Sequence, residues 1–134
     1  MIGSGPIGLT IAQMADLAGA ASVAILGKPD GPLQIAQQMI GAIPINVDTT
    51  DPVEEVKAWT SGRGATVVFE AVGGTANTLM QATEIAAKRG KICMVGGHVA
   101  PLRWTPVTLV AVSSPLRGLS VMDDVTGKRS SRLR

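Results

Sequence analysis

The residues with most chemistry to offer stand at the start of the chain, Ile2-Gly3-Ser4-Gly5-Pro6-Ile7-Gly8, a G-x-G-x-x-G that opens a helical pattern. In such a loop one glycine permits a tight turn, a second lets the backbone approach a pyrophosphate, and the third lets helix and strand pack closely. The N-terminus of the following helix offers unpaired amides and a partial positive charge to the phosphates. Other reactive side chains are few. Cys93 is the one cysteine; it sits in the apolar run Lys91-Ile92-Cys93-Met94-Val95 and reads as a buried, inert thiol, unable alone to form an internal disulfide or a zinc site. His98, after Gly96-Gly97, reads as a solvated loop residue rather than a ligand or base. Ser113-Ser114 has no histidine and acid arranged around it, so a hydrolase triad has no support. Glu70 falls at the C-terminal end of a strand, on the edge where parallel sheets bind ligands, and a structural bond to a loop amide is favoured over one to a ribose hydroxyl. Trp59 and Trp104 read as packing residues.

These residues need a scaffold, and the rest of the chain supplies alternating signals for one. Ile7, Ile11, Met14 and Ala18 recur at helical spacing, with Gly19 closing that helix. The run Val23 to Leu26 predicts a short buried strand, followed by a helix from about Pro32 to Ile40 stopped by Gly41, and a strand near Ile43 to Val47. Asp51-Pro52 opens a third helix, with Asp51 as its cap and proline in its first turn. Thr66 to Glu70 is β-branched and aromatic, as strands prefer. A helix is predicted over Thr75 to Lys88, ended by Arg89-Gly90, and a strand over Lys91 to Val95. After a proline-punctuated stretch, Leu116 to Met122 reads as the last strand. Strands alternating with helices imply right-handed βαβ crossovers, an α/β class and a parallel sheet with helices on both faces.

Composition narrows the functional classes. A hydrophobic fraction of 46% and a charged fraction of 16% describe a globular chain, and 134 residues suffice for one core. Only Phe69, Trp59 and Trp104 are aromatic, which argues against stacking platforms for single-stranded nucleic acid. Four of the twelve basic residues, Lys128, Arg129, Arg132 and Arg134, fall in the last seven positions, so the remainder carries more acid than base despite the formal charge of +2. Residues 124–134 therefore read as a solvated basic tail and residues 1–123 as the folded domain, with no nucleic-acid partner. No run approaches the ~18 apolar residues of a membrane helix, and no secretory leader is visible, so the cytoplasm is the expected location.

Gly3-Ser4-Gly5-Pro6-Ile7-Gly8-Leu9, Gly19-Ala20, Gly41-Ala42, Gly62-Arg63-Gly64-Ala65, Val67 through Gly73, and Gly90-Lys91-Ile92 running to Val95-Gly96 follow one another along the chain. On these landmarks the chain resembles the cofactor domain of the zinc-dependent medium-chain alcohol and polyol dehydrogenases. The resemblance covers about residues 2 to 122, and the phrase from Gly64 to Gly73 is its most specific part. It implies a Rossmann-type doubly wound sheet of order 3-2-1-4-5-6. It also implies a nicotinamide dinucleotide as partner. Gly3, Gly5, Pro6, Ile7 and Gly8 would hold the pyrophosphate; Val72 with Gly73 would flank the adenine; the backbone around Val95-Gly96, Leu119 and Val121 would bind the carboxamide. Family members transfer a hydride between an alcohol and the nicotinamide, with zinc polarising the alkoxide.

The chain departs from the family in three ways. The zinc ligands and proton relay belong to a catalytic domain preceding the glycine-rich loop, and neither Cys93 nor His98 matches them, so no catalytic or metal-binding residue is assigned here. Only Met1 and Ile2 stand for the central first strand, which is truncated, and the expected helix after Asp123 is replaced by a basic segment. The sequence reads as a fragment. The position that carries a ribose-binding acid in this fold is Gly27, followed by Lys28, which predicts a preference for NADP(H) over NAD(H). Asp30 is the counter-candidate, because a longer loop there would bring a carboxylate to the ribose and favour NAD(H). The last strand should form a sheet edge and, as in the resembled family, a homodimer contact. Competing readings are a stand-alone nucleotide-binding or sensor module without redox activity, and a truncated product that does not fold stably.

Overall fold

A computed structural model describes residues 1–74, 77–97, 108–111 and 120–121. Helix α1 (Pro6–Leu17) is followed by strand β1 (Ala24–Gly27), α2 (Asp30–Ile40), β2 (Ile43–Asn46), α3 (Pro52–Trp59), β3 (Ala65–Glu70), α4 (Thr78–Ile85), β4 (Ala86–Met94), β5 (Thr108–Ala111) and β6 (Ser120–Val121). Strands β1 and β2 pair in parallel, and β3, β4 and β5 form a second parallel set with β6 at its edge. Ile2 joins the two halves by parallel bridges to Leu26 on one side and Glu70 on the other. The resulting order β2-β1-Ile2-β3-β4-β5 is the expected doubly wound order, with one residue standing for the central strand.

That residue is tightly held. Ile2 N–H donates to Phe69 O at 2.8 Å, Ala71 N–H donates to Ile2 O at 3.0 Å, Gly3 N–H donates to Leu26 O at 2.8 Å, and Leu26 N–H donates to Met1 O at 2.8 Å. Its side chain is buried in a core with Leu26, Ile45, Val56, Val68, Leu79, Ala82, Ile85 and Ile92. A second core lies on the opposite face, where Ala12, Leu33, Ala36 and Ala42 close over Ile25. Successive residues of β1 thus feed opposite faces, as a strand between two helical layers must.

The structure departs from the sequence reading in four places. Helix α1 forms, but the Ile7–Ile11–Met14–Ala18 stripe that predicts it is not the face it buries: Ile7 is 59% and Met14 58% exposed, while Gly8 and Ala12 face the sheet. Gly8 seats against the Gly3 carbonyl and Ala12 packs with Ile25, Leu33 and Ala36, and that close packing decides the rotation of the helix. Helix α4 ends at Ile85, not at Lys88. Ala86 instead pairs with Ala65, and β4 then bulges through Arg89 (φ 65°) before Lys91 pairs with Val67. Sheet partners claim Ala86–Lys88 against their helical preference, as tertiary pairing commonly does. Thr108–Ala111, inside the proline-punctuated stretch, forms β5. Finally β6 runs antiparallel to β5, with Val110 opposite Val121. The eight residues between these strands are too few for the crossover of about a dozen that a parallel pair needs.

Helix ends follow local rules. Asp51 caps α3, its carboxylate accepting from Val53 N–H at 2.8 Å and Glu54 N–H at 3.2 Å. Gly41 ends α2 in the left-handed conformation.

Candidate functional site

The C-terminal ends of β1, β3 and β4 and the N-terminus of α1 converge on one edge of the sheet, the edge where open α/β sheets bind ligands. Gly3 leaves the central bridge with φ +106°, a conformation L side chains rarely adopt. The chain turns back so sharply that a Cβ on Gly8 would press into the Gly3 carbonyl oxygen and come within 2.9 Å of its carbonyl carbon. Gly5, between them, has open space around it: a Cβ there would meet nothing within 4 Å. No side chain caps α1 at Gly5, and Pro6 occupies its first turn. The turn therefore presents bare backbone and the positive end of a helix dipole, a combination suited to a pyrophosphate. Pro6, Ile7, Thr10 and Ile11 line a shallow open depression beside it.

Glu70 organises the middle of this edge. Fully buried, its Oε1 accepts from Val72 N–H at 2.8 Å, Gly73 N–H at 3.0 Å and Thr78 Oγ1 at 2.8 Å. The favoured structural role for Glu70 is the one observed; it locks the loop after β3 to the start of α4. Backbone bonds extend the lock, since Val95 N–H and Gly96 N–H both donate to Glu70 O and Gly74 N–H donates to Gly97 O at 2.7 Å. Gly73 and Gly96 touch backbone to backbone; a Cβ on Gly73 would lie 2.6 Å from Gly97 O, and one on Gly96 would lie 2.8 Å from Glu70 Oε2. Residues 71–74 after β3 and residues 95–97 after β4 are thus bonded into one unit. It leaves Val72 half exposed beside Gly3, where a Gly3 Cβ would approach Val72 Cγ2 to 3.1 Å. Cys93, half-buried on β4, has its thiol pKa pushed up by burial, which disfavours the thiolate form.

At the β1 end, Gly27 has no room for a side chain. A Cβ there would collide with Ser4, 2.7 Å from its Cβ and 2.9 Å from its backbone nitrogen. Ser4 is buried and donates from Oγ to Lys28 O at 3.4 Å. An acid at position 27 is therefore excluded by packing as well as by sequence. Lys28 Nζ lies 2.9 Å from Asp48 Oδ1, an exposed ion pair. Asp30 opens α2, and its carboxylate accepts from Asn46 Nδ2. Asn46 Oδ1 in turn accepts from Asp48 N–H at 2.9 Å.

Of the residues singled out in the sequence, Gly3, Gly5, Pro6, Ile7, Gly8, Gly27, Lys28, Val72, Gly73, Val95 and Gly96 share this edge. Val121 lies in β6, beyond β5. Leu119 and His98 fall outside the described residues, as does the basic tail 124–134. Sequence reasoning missed Ser4, Asn46, Asp48 and Thr78. The signal for Asp48 is the parallel register: Gly27 pairs with Asn46, so the residues just past each strand emerge together. Among the described residues no three His, Cys, Asp or Glu side chains cluster to hold a metal, and no helix is long and apolar enough to cross a membrane. The described residues thus do not fit a zinc site, and no chemistry through zinc is derived from them.

The family described as Zinc-binding dehydrogenase matches residues 6–131. The L-threonine 3-dehydrogenase of Bacillus subtilis (strain 168) is 32% identical over 130 residues, covering 96% of this chain and 35% of that protein. Among solved structures, alcohol dehydrogenase TADH from Thermus sp. ATN1 superposes with a TM-score of 0.76 at 33% identity, over 83% of this chain and 34% of the other. The 2R,3R-butanediol dehydrogenase of Bacillus subtilis gives a TM-score of 0.75 at 27% identity, over 84% and 34%. The protein is an α/β chain with the fold of zinc-type alcohol dehydrogenases. It belongs to the zinc-binding dehydrogenase family, and it spans about a third of the length of the relatives it matches.

Proposed function

We propose that this chain binds a nicotinamide dinucleotide, as the cofactor-binding part of an alcohol dehydrogenase-like oxidoreductase. The observation that carries the reading is the bare turn from Gly3 to Gly8, closed to the limit of contact at Gly8 and open at Gly5. In this role the amides at the start of α1 hold the pyrophosphate, and Val72 packs beside the adenine. The unit formed by the loops after β3 and β4 holds the backbone near Val95 and Gly96 in position for the nicotinamide end. Leu119 and Val121 belong to the same proposed contact set. The bound nicotinamide would supply the hydride chemistry.

We further propose a preference for NADP(H). Gly27 carries no carboxylate to repel a 2′-phosphate, and Lys28 provides an ammonium at the same edge. Asp30 is engaged by Asn46, which weakens its claim on the ribose. A thermal melt of the chain alone, with NADP⁺ and with NAD⁺ at matched concentration, tests both parts. A ligand that binds only the folded state must raise its melting temperature. The expected result is a cooperative transition raised by both cofactors and more by NADP⁺. A larger rise with NAD⁺ reverses the preference, and no rise with either removes the cofactor role. We also propose a homodimer paired along the edge strand β6.

A further inference from the structure

We propose that Asp48 is a cofactor-selectivity residue of this chain, a carboxylate that competes with an adenosine 2′-phosphate for the Lys28 ammonium. The inference rests on the NADP(H) reading of Lys28. Parallel register brings the two residues near each other, since Gly27 and Asn46 are partners, Lys28 follows the one and Asp48 stands two residues past the other. Lys28 Nζ meets Asp48 Oδ1 at 2.9 Å, with the two side chains 62% and 56% exposed. A pair so exposed is weak and exchangeable, so a phosphate with up to two charges can take the ammonium from it. The Asp48 backbone is fixed beside Lys28, because its N–H donates to Asn46 Oδ1 and Asn46 Nδ2 donates to Asp30. The edge thus sets the Lys28 ammonium against the Asp48 carboxylate. A phosphate binding to Lys28 must do so beside Asp48, against like charge. NAD(H), lacking that phosphate, is indifferent to it.

The test is a titration of the 134-residue chain with NADP⁺ and NAD⁺ for the native protein, Asp48→Asn, Lys28→Ala and the double variant. Asp48→Asn keeps the side-chain shape and the Asp48 N–H bond to Asn46. It should tighten NADP⁺ binding about tenfold at low salt, the order expected for removing one charge within a few ångströms of a phosphate. NAD⁺ binding should stay within about twofold, and the gain should shrink as salt approaches ~1 M. Lys28→Ala should weaken NADP⁺ binding and erase most of the gain in the double variant. If Lys28→Ala weakens NADP⁺ but Asp48→Asn does not strengthen it, Lys28 keeps its role and the Asp48 inference is overturned. An equal gain for both cofactors, or a gain that survives without Lys28, overturns it as well. If Lys28→Ala leaves NADP⁺ unchanged, the reading of Lys28 fails and this inference with it. No saturable binding by any variant removes the cofactor role that both require.

Discussion

Gly5 and Gly8 stand three residues apart in one loop and answer to different constraints. A methyl group on Gly8 has nowhere to go, because the Gly3 carbonyl it would strike is fixed by the bonds of Ile2 and Gly3 to both neighbouring strands. Gly8→Ala should cost about 1–3 kcal/mol through overpacking. Gly5→Ala places its methyl in open space at an extended φ of −72°, and should change stability by less than about 1 kcal/mol. If the open space is the pyrophosphate seat, Gly5→Ala should nonetheless lose most of the cofactor-induced rise in melting temperature. Melts with and without cofactor separate the two effects; a full cofactor response in Gly5→Ala would remove Gly5 from the site. This much was legible in the sequence, since both glycines sit in a motif whose geometry is local. Ser4 was not: its bearing on Gly27 crosses 23 residues and depends on how closely the turn lies against β1.

Local signals located the elements and tertiary contacts trimmed them. Asp51 caps α3 as expected because a cap reaches only two or three residues along the chain. The end of α4 was misread because its last expected turn has a better partner in Ala65, invisible to a window along the sequence. Strand β5 was missed for the same reason, its four residues gaining their role from β4 alongside. The edge strand β6 sets a test of assembly. Val121→Pro removes a backbone donor from that strand. It should sediment as a monomer if copies pair through β6, provided its melt matches that of the native chain. An unchanged dimer would place the contact elsewhere.

At the scale of the whole molecule, the two halves of the sheet meet on Met1, Ile2 and Gly3. Ile2 is buried at that junction, and its backbone bonds to Phe69 and Ala71 on the β3 side. Ile2→Ala removes most of a side chain packed in the shared core and should cost about 2–5 kcal/mol. The loss is read as a lower urea midpoint, and an unchanged midpoint would show that the junction does not hold the two halves together.

The sequence by itself determined the α/β class, the glycine-rich turn at the start of α1, the cap of α3 and the family, because each rests on spacing within a few residues or on a motif fixed by backbone geometry. Only the tertiary structure decided which face of α1 is buried, since Gly8 fits against the Gly3 carbonyl and Ala12 against Ile25 and Leu33 where larger residues would not. It alone decided that Ser4 closes against Gly27, and that Lys28 meets Asp48 rather than open solvent. The last two outcomes depend on contacts twenty or more residues apart, and such contacts exist only once the strands have fallen into register.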